Sequence, residues 1–292
     1  MSESVSRVIG DTLYKRHSTP YAFDIKVHTL GSHIEAVAVP RYSWVEVETL
    51  SPQALQDMQS AASQVFIDGE WSPCPPRLTL DEVTQIDRER SARRARANVR
   101  RRVKLFELDC MLTLTYKENV LDRERIRRDV DAMLKRMRRL VPDFSYVCVF
   151  ERQKRGAWHA HIACRKIQSH YYRRGQLVPS FTLLRTFWRA VVGVAGGNID
   201  VSRQRAAKRS VGRLAGYLSK YIGKGFEDGQ DGDSYSASGS LPKPATTRFD
   251  GSCPYAAKDE LIRRVLALFP TGCCEFYCAM ISESASYAAA SP

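Results

Sequence analysis

The sequence predicts an α+β fold: an antiparallel sheet with helices packed on a face. Three observations carry this. Hydrophobic residues make up 43% and aromatics 10% of a 292-residue chain, enough to bury a proper core. From Cys110 onward, short alternating apolar runs trade places with longer runs of helical period, in the order β-α-β-β-α-β-α. Two of the strands are separated only by Gln153-Lys154-Arg155-Gly156, a loop ending in glycine as antiparallel hairpins do.

The elements follow in order. Ile34 to Val47 reads as strand, with Ala36-Val37-Ala38-Val39 and Trp44-Val45-Glu46-Val47. Ser51-Pro52 is a cap and first-turn pair for a helix to about Phe66, and the prolines between Trp71 and Pro76 mark a linker. Thr79 to Lys104 is one helix, with Thr79 and Glu82 spaced as a capping box. Cys110 to Tyr116 alternates as a strand. Asp122 to Leu140 is a basic amphipathic helix ended by Pro142. Phe144 to Glu151 and Ala157 to Arg165 are strands, Thr182 to Val192 a helix and Asn198 to Ser202 a short strand. Ala206 to about Lys224 is a helix stopped by Gly223 and Gly225. The run from Glu227 to Ser240, rich in Asp, Gly and Ser, is expected as a flexible loop. Lys258 to Phe269 is a last helix, and the small, polar tail from Ser282 is expected to fray.

The formal net charge is +13, which points to a polyanionic partner, nucleic acid or an anionic surface. The excess is not uniform. Residues up to Thr79 are slightly acidic, so the positive charge lies chiefly between Arg88 and Lys224. In the long helix Arg93, Arg94, Arg96, Arg100 and Arg101 follow Glu89 with few acids to balance them, which suggests a phosphate-contacting arm. Of the eight cysteines, Cys110, Cys148 and Cys164 sit in apolar strand-like runs and read as small buried hydrophobes. No CxxC pair occurs, so a structural zinc site is not expected. No apolar run reaches transmembrane length and the N-terminus lacks a continuous apolar stretch, so a soluble, cytoplasmic protein with no membrane partner is expected.

His159 and His161 share one face of their strand, because alternate side chains do. Trp158, Ala160, Ile162 and Cys164 line the other, core-facing side. A three-residue hairpin loop ending at Gly156 pairs Gln153 with Ala157, Arg152 with Trp158, and Glu151 with His159. Glu151 then joins the two imidazoles on their face. Two imidazoles and one carboxylate form a site for Mg²⁺ or Mn²⁺ with open positions for substrate. The bland alternative is a surface strand with no ligand.

Residues 216–224 read Gly-Tyr-Leu-Ser-Lys-Tyr-Ile-Gly-Lys. On a helix, Val211, Leu214, Ala215, Leu218 and Ile222 form one apolar stripe. Tyr217 lies about 120° from its centre, on the side of Arg213, Lys220 and Lys224. Tyr221 falls nearer the edge of the stripe and serves equally as ordinary rim-of-core packing. A phenol beside lysines is a better nucleophile, and Lys220, one turn from Tyr217, can hold a phosphate oxygen.

These residues resemble the HUH superfamily of rolling-circle replication initiators of small phages and plasmids. The resemblance rests on three motifs in order: the strand Met111-Leu112-Thr113-Leu114-Thr115-Tyr116, the histidine strand with Glu151 and His159-Ala160-His161, and the helix segment Tyr217-Leu218-Ser219-Lys220-Tyr221. It covers residues 110 to about 225. It implies an HUH endonuclease core of ferredoxin/RRM-like type over residues 110–226. It also implies metal-dependent nicking of single-stranded DNA at a replication origin. Tyr217 would attack the phosphorus, giving a 5′-phosphotyrosine and a free 3′-hydroxyl, with Tyr221 available as a second nucleophile. His159, His161 and Glu151 would hold the ion, and Arg93, Arg94, Arg96, Arg100, Arg101, Arg213 and Lys224 would contact DNA, helped by the helix around Arg125 to Arg139. No helicase P-loop follows, so a host helicase and polymerase would act with it in a bacterial cytoplasm; no small-molecule cofactor is implied.

The remaining parts are residues 1–78, an N-terminal region with no motif, a basic helical arm at 79–109, and a flexible loop plus C-terminal helical region at 227–292. Two other readings stand beside the initiator. An HUH transposase or relaxase would use the same core, although relaxases usually carry their tyrosine before the histidines. A non-enzymatic DNA- or RNA-binding protein would need exposed aromatics on its central strands.

Overall fold

The computed structural model describes residues 6–9, 11–61, 64–67, 70–73, 80–153, 155–203, 211–227, 235–269, 272–273 and 275–292. In chain order the elements are β1 (Ser6–Ile9), β2 (Thr12–Leu30), β3 (His33–Thr49), α1 (Pro52–Ala61), β4 (Gln64–Ile67), β5 (Glu70–Pro73), α2 (Leu80–Leu105), β6 (Cys110–Tyr116), α3 (Arg123–Leu140), β7 (Tyr146–Arg152) and β8 (Trp158–Cys164). There follow β9 (His170–Arg173), β10 (Gln176–Pro179), α4 (Ser180–Val192), β11 (Gly197–Arg203), α5 (Val211–Glu227), β12 (Tyr235–Ala237), β13 (Ala245–Asp250), α6 (Pro254–Ala267), β14 (Glu275–Ser282) and β15 (Ala285–Ser291). The fold is α+β with antiparallel sheets, as expected.

The central sheet has the order β11-β6-β8-β7-β12. Its elements match the expected β-α-β-β-α-β-α order, with the added β9-β10 hairpin before α4. Strand alternation divides its side chains between two faces. One carries Leu112, Leu114, Cys148, Phe150, Trp158, Ala160 and Ile162, covered by Ile126, Val130, Met133, Leu134 and Met137 of α3 and Leu184 and Trp188 of α4. The opposite face carries Met111, Val147, Val149 and Ala163, covered by Val99 and Val103 of α2 and the stripe Leu214, Ala215, Leu218 and Ile222 of α5. Each aliphatic side chain so buried contributes about 1.5–3 kcal/mol. Asp122 caps α3, its carboxylate accepting from the Glu124 N–H at 2.9 Å.

A second sheet joins the two ends of the chain, in the order β1-β2-β3-β15-β14, with β13 also on β2. Helix α6 packs Ala257, Leu261 and Val265 against Phe23, Ile25, Ile34, Ala36, Ala38, Ala288 and Ala290. This corrects several expectations. The tail expected to fray is β15, an interior strand with Ala288 and Ala290 buried, because its alternating alanines fit beneath α6. The region after 227 carries strands besides its helix: within the expected loop, Tyr235–Ala237 pairs with β7. Helix α1 is capped by Ser51, which accepts from the Ala54 N–H at 3.1 Å, but it ends at Ala61. Beyond it, Gln64–Ile67 pairs with Glu70–Pro73, where helix and linker were expected. Thr79, the expected cap of α2, lies outside the described residues, as does the side chain of Glu82.

Helix α2 stands between the sheets. Val99 and Val103 face the central sheet, while Arg100 and Lys104, one position on, face Glu35 of β3. Glu35 is fully buried. Arg100 grips it with two bonds, Nε–H at 2.7 Å and Nη2–H at 3.0 Å. Lys104 Nζ lies at 3.0 Å and Arg101 Nε at 3.4 Å. Burial alone would push the carboxyl up, but hydrogen bonding and attraction from Arg100 and then Lys104 outweigh it and hold Glu35 at about 2, below the ordinary 4.5.

A carboxyl held below its unfolded value stabilises the fold above that value and ceases to do so as pH falls through the folded one. Glu35 thus contributes about 3 kcal/mol near neutrality, lost as pH falls from 4.5 to about 2. Glu35→Gln should lower unfolding free energy by about 3–5 kcal/mol at pH 7, since it strands three buried cations. Urea melts at pH 7 and pH 3 should show the gap between variant and wild type narrowing in acid. Equal stability at pH 7 would rule out this ion cluster as a stabilising contact.

Candidate functional site

The site grows from the β7-β8 hairpin. Gly156 takes φ +88° and closes the loop with its N–H on the Gln153 carbonyl at 2.7 Å, while the Gln153 N–H bonds the Ala157 carbonyl at 2.9 Å. The register is Arg152 opposite Trp158 and Glu151 opposite His159, as the loop length predicted. Glu151, His159 and His161 therefore emerge together on the α2/α5 face, and Trp158 is buried on the other.

Glu151 contacts the diagonal histidine rather than the opposite one: His161 Nε2 lies 2.9 Å from Glu151 Oε2. The other ring nitrogen, Nδ1, is 3.2 Å from Thr113 Oγ of β6, which the ladder sets opposite His161. His159 Nδ1 is 3.1 Å from the Gln153 side-chain amide. Its Nε2 is buried and has no hydrogen-bond partner among the described residues. Burial, then the neighbouring His161, pushes the His159 imidazole down toward the neutral form a metal requires.

Among the described residues no three His, Cys, Asp or Glu side chains stand as a preassembled metal cluster. The donor chemistry nevertheless fits a small hard cation. The 2.9 Å between His161 Nε2 and Glu151 Oε2 matches the edge of an octahedron of ligands at ~2.1 Å, about 3.0 Å. The rear nitrogens face a hydroxyl and an amide, groups that can donate or accept, so each ring can place its proton at the back and free its front lone pair.

Helix α5 brings the tyrosines over the same face. The Tyr221 ring stacks on His161 with centroids 4.4 Å apart and planes 16° from parallel. Its hydroxyl donates to that of Tyr217, whose ring meets it edge-on at 5.1 Å. Tyr221 is half-buried and Tyr217 exposed, as the helix stripe required. Burial, then the hydrogen bond to Tyr217, pushes the Tyr221 phenol well above its ordinary value. Lys220 and Arg213 are exposed on α5; the side chain of Lys224 lies outside the described residues.

The structure thus gathers Glu151, His159, His161, Tyr217 and Tyr221 into one chain of contacts. The arm divides. Arg93 and Arg94 are exposed, Arg93 pairing with Glu89 at 3.3 Å and Arg94 bonding Ser91 at 3.3 Å. Arg96 is half-buried, with its Nε lacking a partner among the described residues. Arg100 and Arg101 are engaged by Glu35, so the carboxylate balancing them lies far away in sequence. Sequence reasoning missed Thr113 and Gln153, although Thr113 stands in the first motif strand and Gln153 in the hairpin loop.

Residues 109–226 match the model of a replication-associated protein family, that of ORF2 and the gene 2 protein, which supports a role in replication initiation and interaction with DNA. Neither the curated proteins nor the solved structures contain a match to the chain. No helix among the described residues is long and apolar enough to cross a membrane.

An ultraviolet difference titration, wild type minus Tyr221→Phe, should reveal a phenol still neutral above ~10, the ordinary tyrosine value. Tyr221→Phe should cost about 1 kcal/mol or less, since it keeps the ring on His161. Tyr221→Ala, which removes the ring, should cost about 2 kcal/mol more by thermal melt. A phenol titrating at the ordinary value would contradict the contact chain.

Proposed function

We propose that the protein initiates rolling-circle DNA replication as an HUH endonuclease, nicking single-stranded origin DNA through a covalent phosphotyrosine. The observation that carries this is the contact chain itself: a carboxylate on one histidine, that histidine under a tyrosine ring, and that tyrosine hydrogen-bonded to a second, solvent-facing phenol. A packing role accounts for Tyr221 but not for an exposed Tyr217 or for the orphaned His159 nitrogen.

His159, His161 and Glu151 would hold a divalent ion, Mg²⁺ or Mn²⁺. When bound, it supplies electrostatic polarisation of the scissile phosphate. Tyr217 attacks the phosphorus and the bond to the 3′-oxygen breaks; the phenol proton leaves to solvent and the 3′-oxygen takes one up. The 3′-hydroxyl is then free to prime a polymerase. Lys220, one turn away, holds a phosphate oxygen. Tyr221, kept neutral, donates to the attacking oxygen and orients it, and is placed to accept the strand at termination. Arg93, Arg94, Arg96 and Arg213 steer the DNA backbone, with Lys224 on the same helix. The non-enzymatic alternative requires exposed aromatics on the central strands, yet Tyr116, Tyr146, Phe150 and Trp158 are all buried. A transposase or relaxase role for the same core is separated from replication by the origin test.

Incubation with single-stranded DNA of the replicon and Mn²⁺ should give a denaturation-resistant protein–DNA adduct. Tyr217→Phe should abolish it and Tyr221→Phe should retain it in a single turnover. His161→Ala, or removal of the metal by a chelator, should reduce its rate about a hundredfold. An adduct kept in Tyr217→Phe and lost in Tyr221→Phe would reverse the two phenols, and no adduct from wild type would refute the nuclease.

A further inference from the structure

The back of the central sheet carries a second basic feature. An open cleft of about 370 Å³ lies between the end of α3, the middle of α4 and the β9-β10 hairpin. It is lined by Arg136, Arg139, Leu140, Arg173, Thr186 and Phe187, with Ala190 at its margin. Helices α3 and α4 cover the sheet face opposite His159 and His161, so the cleft faces away from the tyrosines.

Its arginines stand apart from the others. Elsewhere in the chain arginines are neutralised: Arg125 by Asp129, Arg127 by Glu124, Arg100 by Glu35, Arg264 by Glu260. Among the described residues none of Arg136, Arg139 or Arg173 makes such a pair. Arg136 bonds a backbone carbonyl, that of Ala132, at 3.0 Å. Arg173 lies over the Phe187 ring, 5.2 Å from its centroid. The local sequence offers no acid: from Arg152 to Ile199 there is no Asp or Glu. The α3 dipole favours a cation in its last turn and so accounts for Arg139 alone. It does not account for Arg173, which arrives from a separate hairpin whose tip also exposes Tyr172.

We propose that this cleft binds the phosphate backbone of a DNA strand outside the stretch being cut, one nucleotide unit seated between the three guanidinium groups with its base against the Arg173–Phe187 stack. Planar guanidinium forks match phosphate oxygens, and an aromatic stacked with arginine offers a sequence-tolerant face for a base. The cleft is the size that takes a single small unit, and its apolar floor of Leu140 and Phe187 suits a sugar and base rather than a bare anion. This rests on the reading that the protein acts on DNA, but not on its nicking chemistry.

The test is equilibrium binding in a Tyr217→Phe background, where no adduct forms. The probes are a strand of about 8 nucleotides and one several times longer, each in origin and scrambled sequence. The Arg136→Gln/Arg139→Gln/Arg173→Gln variant should lose about tenfold or more in affinity for the long strand, equally for both sequences, with the salt slope reduced by about 2. Its affinity for the short strand should change less than twofold. Arg173→Gln alone, on an exposed hairpin, should show a third of the slope change and guards against misfolding of the triple variant. An unchanged long-strand slope would overturn the site. So would displacement of the long strand by millimolar deoxyadenosine monophosphate, which would make the cleft a free-nucleotide pocket, or tighter binding of matched RNA. Failure of wild type to form an adduct would sink the nuclease while leaving this measurement intact.

Discussion

The arrangement depends above all on the register of the β7-β8 hairpin. Side chains alternate along a strand, so a slip of one residue would carry His159 and His161 into the packed face under α3 and bring Trp158, Ala160 and Ile162 out beneath α5. Gly156, in a backbone region that side chains rarely adopt, permits the three-residue loop and excludes that slip. Once the register holds, the other contacts follow from ladder geometry. Thr113 stands opposite His161 because β6 pairs with β8. Glu151 reaches His161 because diagonal neighbours on one face lie within range of a long side chain. The apolar stripe of α5 then seats its helix where the Tyr221 ring can cover that histidine.

Helix α2 links this site to the rest of the chain through two adjacent stripes of i, i+4 residues. Val99 and Val103 belong to the core beneath the tyrosine helix, while Arg100 and Lys104 clasp a carboxylate of the terminal sheet. A fully buried carboxylate is tolerated only because three cations meet it. The basic arm is therefore two things along its length: its C-terminal turns are structural, and the exposed Arg93 and Arg94 are left for a polyanion.

What was legible in the sequence was local. The hairpin register, the face shared by Glu151 and the histidines, the stripe of α5 and the exposure of Tyr217 all follow from periods of 2 and 3.6 and from one glycine. What was not legible depended on distant pairing. The terminal sheet joins strands from opposite ends of the chain, such as Ala36 with Ala288, and no local pattern names such a partner. A run of alternating alanines looks like a fraying tail until α6 is placed over it. The partner of Arg100 is 65 residues away on another sheet, so a helix that counts as unbalanced in its own neighbourhood is balanced in space. The diagonal contact of Glu151 with His161 was also hidden, because register fixes which residues face one another but not which rotamer they choose.

The two tyrosines show how burial separates chemically identical groups. They lie one turn apart, and nothing in their composition distinguishes them. The difference is angular: Tyr221 falls at the edge of the buried stripe and Tyr217 beyond it. Desolvation disfavours a phenolate at Tyr221, and so does Glu151, whose negative charge lies on the histidine that its ring covers. Tyr217 keeps its contact with water, and its oxygen accepts the hydrogen bond that Tyr221 donates. In a nuclease this asymmetry sets an order of use, the solvent-facing phenol reacting first and the buried one holding a proton until the geometry changes. The same asymmetry explains why a single helix can carry both, since two equally ionisable phenols in contact would oppose each other's ionisation.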